Sequence, residues 1–202
     1  MNAGSGREIH IPMQRWKLKD IVMLSSLSVV FAVVYLLFFQ VGNILVGFMG
    51  PMGYEVIFGI WFIVSIIAAT ILRKPGAAVI SETVAGVVEV LIGNAVGPIL
   101  IVSALIQGLG AEAAFAATRY RSYSLRTLML AGVGAALFSF AWGYFRSGFG
   151  AYSAGLVIAM LAVRCVSGAL IAGLLGHGIA QSLKRTGVLR SYPIAKEGTR
   201  AA

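Results

Sequence analysis

Residues 21–41 read IVMLSSLSVVFAVVYLLFFQV, an apolar run without a single charged side chain. A helix rises 1.5 Å per residue, so about 20 such residues cross a bilayer's hydrocarbon core. Arg15, Lys17, Lys19 and Asp20 precede the run and mark where water begins. Working outward, the pattern repeats. A breaker-rich segment, Gly42 to Gly53, is followed by apolar spans predicted at about 54–72, 77–92, 99–118, 127–144 and 153–183. The last is longer than a span, so its end is expected to project into water. Composition points the same way: 59% of residues are hydrophobic and 11% charged, against about 25% charged in soluble domains. The predicted fold is all-α, a bundle of six transmembrane helices in a cell membrane. Residues 1–19 form an N-terminal segment, 20–183 the membrane domain, and 184–202 a polar tail expected to be mobile.

The basic residues orient the bundle. If both ends of the chain lie on one side, that side holds fourteen of the sixteen Lys and Arg residues; the other side keeps Arg146, and Arg164 lies within a span. The positive-inside rule then places both termini in the cytoplasm. The net charge of +9 therefore reads as a topology signal and not as a nucleic-acid footprint. The single Cys165 leaves no intrachain disulfide to consider.

Four carboxylates interrupt the spans: Glu55, Glu82, Glu89 and Glu112. Each costs on the order of 2–4 kcal/mol in the membrane unless something answers it. Arg164 is the one basic residue placed as deep, so the interior is short of positive charge. A cationic or amine-bearing guest could supply it. Helical rise places Glu55, Glu89, Asn94, Trp142 and Arg164 in the outer half of the bundle, with Gln107 about midway. Glu82 lies seven residues before Glu89, on the same helix face. Glu82 and Glu112 share a similar depth and could meet as a pair sharing a proton. Trp61, Trp142 and Tyr54 are candidates to stack on a guest. Each residue also has a plainer reading. Glu89 could simply pair with Arg164, Glu55 could cap a helix start, and Gln107 could make an interhelical bond.

Several kinds of chemistry are missing from the sequence. No G-x-x-x-x-G-K-[ST] is present for a nucleotide, and no G-x-S-x-G or H-E-x-x-H. His10 and His177 have no companions that would complete a metal site. No cofactor and no catalytic residue is expected. A glutamate-based intramembrane hydrolase and a self-sufficient proton- or cation-coupled carrier remain as alternatives to a binding subunit. Small residues at four-residue spacing, Ser28 and Ala32 among them, let helices approach closely, within the bundle or against a partner.

Four stretches carry a resemblance: Arg73-Lys74-Pro75-Gly76-Ala77-Ala78, Ser81-Glu82-Thr83, Glu89-Val90-Leu91-Ile92-Gly93-Asn94 and Gln107-Gly108-Leu109-Gly110-Ala111-Glu112. Together with the six-helix layout they resemble the YkoE family of substrate-binding S components of energy-coupling factor (ECF) transporters. The resemblance implies thiamine or its hydroxymethylpyrimidine precursor as cargo. It also implies a transmembrane T component and ABC-type ATPases as partners. Glu89, Glu55, Glu82, Gln107, Glu112, Trp142, Trp61, Tyr54 and Asn94 become the candidate cargo residues. Many S components dock through Ala-x-x-x-Ala in the first helix, for which Ser28 and Ala32 are the nearest match.

Overall fold

The computed structural model describes residues 15–198. Six helical rods follow one another: α1 (Leu18–Met49), α2 (Met52–Leu72), α3 (Ala77–Leu91), α4 (Ile99–Ala117), α5 (Leu125–Arg146) and α6 (Ala154–Arg185). Among the described residues no strand is formed. Five of the rods are long and apolar enough to cross a membrane; α3, with 15 residues, is shorter. Consecutive rods alternate in direction. One end of the bundle gathers the basic loops, and the other gathers the helix ends around residues 49, 91, 99, 146 and 154.

α1 extends further than the sequence pattern suggests. The segment starting at Gly42 reads as a breaker, yet the helix continues to Met49 and stops at Gly50, whose φ is +58°. Two glycines cost a helix only about 1 kcal/mol each. Leaving backbone groups unpaired in lipid costs several kcal/mol per group, so the helix persists until Gly50 and Pro51 end it.

α2 is the central rod. Every residue from Ile63 to Leu72 is buried, which matches a run with apolar side chains all round the helix. Neither α2 nor α6 is a regular α-helix throughout. α2 tightens to a 3-10 helix over Phe58–Phe62, and α6 widens to a π-helix over Gly168–Leu175. The two irregular stretches pack on each other, and Ser167 Oγ accepts a 3.0 Å hydrogen bond from the Gly59 N–H. Close backbone approach holds the outer rods together. A Cβ on Gly132 of α5 would strike the Gly168 carbonyl of α6, and one on Gly110 of α4 would strike that of Gly134 on α5.

The basic end is tied by polar contacts. Lys74 Nζ donates to Asp20 Oδ2 and to the Arg15 carbonyl, each at 2.6 Å. Beyond α6 the chain turns back, and the stretch expected as a mobile tail buries Leu189, Tyr192 and Ile194. Tyr192 Oη donates to the Lys19 carbonyl at 3.0 Å, and Lys19 Nζ to that of Ser191 at 2.7 Å.

The small-residue stripe on α1 faces inward. Ser28 and Ala32 are both fully buried, and Ser28 Oγ donates to the Ser81 carbonyl of α3 at 2.8 Å. Ser28 thus joins α1 to α3, and the burial of both residues corrects their assignment as a docking face: neither presents surface to a partner.

Candidate ligand-binding cavity

A cavity of about 440 Å³ lies at the end of the bundle away from the basic loops. α2 contributes Tyr54, Glu55, Phe58 and Trp61; α3 contributes Glu82 and Glu89; α4 contributes Ser103 and Gln107. α5 adds Ser139, Trp142, Gly143 and Arg146, and α6 adds Met160 and Arg164. Asn94, Phe149 and Tyr152 reach in from the loops. Beneath Glu82 the bundle is solid, with Phe62, Ile66, Ile67, Ile71 and Phe115 all 1% exposed or less.

The four carboxylates have four different situations. Glu55 forms a two-pronged ion pair with Arg164: Arg164 Nη2 donates to Glu55 Oε1 at 2.5 Å, and Nε donates to Oε2. The guanidinium also lies 3.7 Å from the centroid of the Phe58 ring. The interior cation is thus taken by Glu55. The alternative pairing of Arg164 with Glu89 does not form, and Glu55 is part of the cavity wall with its charge already answered.

Glu89 stands near the end of α3. Its Oε1 accepts from Asn94 Nδ2 at 2.6 Å, while Asn94 Oδ1 accepts from the Val96 N–H at 2.8 Å. Asn94 therefore links the carboxylate to the loop behind it.

Glu82 is deeper and 1% exposed. Its Oε2 accepts from Tyr35 Oη at 3.3 Å, and that hydroxyl accepts from the Val64 N–H at 3.1 Å. Val64 begins the turn where α2 returns from 3-10 to α geometry, so its N–H has no ordinary helical partner. The Tyr35 hydroxyl supplies one and passes its own proton toward Glu82.

Glu112 does not join the others. It is absent from the cavity lining. Its carboxylate accepts from the backbone N–H groups of Gly76, Ala78 and Val79, at 2.7, 2.9 and 3.3 Å. It caps the start of α3, where unpaired N–H groups and the helix dipole favour an anion. Burial and this carboxylate push the neighbouring Tyr120 phenol up to about 12. The shared-proton pair of Glu82 and Glu112 is not formed, and Glu112 is corrected from a cargo residue to a helix cap.

The aromatic candidates do line the cavity. Tyr54 and Trp61 have ring centroids 5.7 Å apart, and Tyr54 Oη donates to Asn43 Oδ1 at 2.5 Å. Trp142 Nε1 donates to Ser103 Oγ at 3.0 Å, fixing the indole between α4 and α5. Gln107 also lines the space. Sequence reasoning missed Tyr35, Phe58, Ser103 and Ser139. For α5 a signal was available: Ser139, Trp142, Gly143 and Arg146 follow an i, i+3, i+4, i+7 pattern, the spacing of one helix face.

The arrangement suits a guest of drug-like size with an amine or positive charge. Aromatic walls can cover its rings, and two carboxylates face it without a basic partner among the described residues.

Comparison with known proteins supports a single family. A family profile described as the permease component of an ABC-type cobalt transport system matches residues 19–138. YkoE of Bacillus subtilis (strain 168), named as an HMP/thiamine permease protein, is 56% identical over 185 residues, 92% of this chain and 93% of that one. The crystal structure of an S-component of ECF transporter superposes with a TM-score of 0.90 at 55% identity, covering 92% of this chain and 94% of the other. The apolar rods, the buried acids and these matches agree: the chain is a multi-pass membrane protein belonging to the YkoE family, with the fold of an ECF-transporter S component.

Proposed function

We propose that this chain is the membrane-embedded binding subunit of an ECF-type importer and captures thiamine or hydroxymethylpyrimidine from outside the cell. ATP hydrolysis belongs to partner subunits, a T component and ABC-type ATPases, and the chain itself is not an enzyme. α3 serves as the sixth span despite its length, and both termini are cytoplasmic, which puts the cavity mouth outside.

One observation carries this reading. Glu82 and Glu89 line a closed-bottomed cavity with Trp61 and Trp142, and neither acid has a cationic partner among the described residues. Both proposed cargoes carry an aminopyrimidine, whose exocyclic amine can donate to a carboxylate. Thiamine adds a permanent charge that an aromatic face attracts. Gln107 and Asn94 can complement ring nitrogens. Nanomolar capture requires about −12 kcal/mol, within reach of charge-assisted bonds and two aromatic walls shielded from water. Among the described residues no group of three or more His, Cys, Asp or Glu side chains is placed to hold a metal ion. That favours an organic cargo over the cobalt in the family profile's description.

Titration calorimetry on the detergent-purified chain tests the reading. Thiamine or hydroxymethylpyrimidine should bind more tightly than about 10 µM, well inside the affinity range of a scavenging receptor. Heat-silent titrations with both compounds, confirmed by unchanged tryptophan fluorescence, would remove the proposal.

A further inference from the structure

Arg146 is the residue that the proposed function leaves without a task. It closes α5 at the end opposite the basic loops and lines the cavity while remaining exposed. Arg164, the other basic residue lining the cavity, is occupied by Glu55. Arg146 has no acidic partner among the described residues. Its position also opposes the charge bias of the chain, which sends fourteen of sixteen basic residues to the other side. A topology signal would not put an arginine there.

Its height in the cavity can be read from the helices. Trp142 bonds Ser103, four residues into α4 from Ile99. Arg146 lies four residues beyond Trp142 on the same face of α5, roughly 6 Å further toward the mouth. Ser147 and Tyr152, both lining residues, add hydroxyls at that level. The cavity therefore carries both signs: Glu82 lies deep in it, Glu89 stands two residues from the end of α3, and across from them Arg146 closes α5 without an acidic partner among the described residues.

We propose that Arg146 is an anion-recognising specificity residue, and that the site accepts the phosphate monoester of its alcohol cargo with the phosphate at the rim. This rests on the cargo assigned above, since thiamine and hydroxymethylpyrimidine both carry a primary alcohol that can bear phosphate. The planar fork of an arginine matches two phosphate oxygens at once. Cargo would lie with its amine toward Glu82 and its ester toward Arg146.

The test is calorimetry on the full chain with each alcohol and its monophosphate, in wild type, Arg146→Gln and Arg146→Lys. The reading is the ratio of ester to alcohol affinity. In wild type the ester should bind at least as well as the alcohol. Arg146→Gln should lower the ratio about tenfold to a hundredfold, the range for a charge-assisted bond. Arg146→Lys should fall between, keeping the charge but losing the fork. Arg146 is exposed at a helix end, so these variants leave the core intact. Wild type that binds the alcohols but not the esters overturns the rim proposal alone, as does a ratio unmoved by Arg146→Gln. Wild type that binds neither form overturns the cargo assignment and the rim with it. Loss of a co-purifying phospholipid in Arg146→Gln, seen by native mass spectrometry with the ratio unmoved, would assign Arg146 to a lipid headgroup and overturn the proposal.

Discussion

Glu55 and Arg164, 109 residues apart in the chain, meet in the cavity wall as a two-pronged ion pair stacked on Phe58. The pair joins α2 to α6 just before each rod departs from α geometry. Removing one partner leaves a buried charge unanswered. Glu55→Gln or Arg164→Met should therefore cost about 3–5 kcal/mol of stability each, and the double variant much less than the sum. Thermal unfolding in detergent, followed by tryptophan fluorescence, reads this directly.

Glu89→Gln keeps the shape of the side chain and removes its charge. Cargo affinity should fall about 10- to 100-fold, the equivalent of 1.5–3 kcal/mol for a hydrogen bond to a charged group. Asn94→Ala should weaken binding less, since it removes only the donor that orients the carboxylate. Calorimetric dissociation constants distinguish the two variants.

Glu112 should behave in the opposite sense. Glu112→Ala deprives three backbone N–H groups of their acceptor and should destabilise the fold by about 1–2 kcal/mol, as loss of a helix cap does. Its effect on cargo affinity should be negligible. A large loss of affinity in a folded Glu112→Ala protein would return this residue to the site.

Leu189 and Ile194, beyond α6, are 1% and 0% exposed. Truncating either to Ala should cost about 2–5 kcal/mol, the range for core aliphatic residues. Lowered melting temperatures for both would establish this stretch as part of the folded body.

The rods themselves were legible because a long uncharged run in lipid has few alternatives to helix, and the Lys and Arg residues mark its ends. Helical rise placed Glu89, Asn94 and Trp142 at one depth with Gln107 about midway, and these four side chains line the cavity. The pairings were not legible. The sequence offered Glu89 to Arg164, but the partner is Glu55, a choice set by how α2 and α6 cross, which no local pattern records. Glu112 looked like Glu82 in depth and chemistry, but the uncapped start of α3 claimed it. Ser28 and Ala32 announced close approach without saying to what; both are buried, and Ser28 meets α3. Glycines at 42 and 47 looked like punctuation, yet the dearth of other hydrogen-bond partners in lipid outweighs their preference for disorder.

The tightly filled layer under Glu82 has a mechanical corollary. Phe62, Ile66, Ile67, Ile71 and Phe115 are all 1% exposed or less and fill the bundle toward the basic loops, so this body is a cup and not a tunnel. Whatever enters must leave through the same doorway. For the importer subunit proposed above, net movement inward then requires partner subunits to re-aim that doorway across the bilayer.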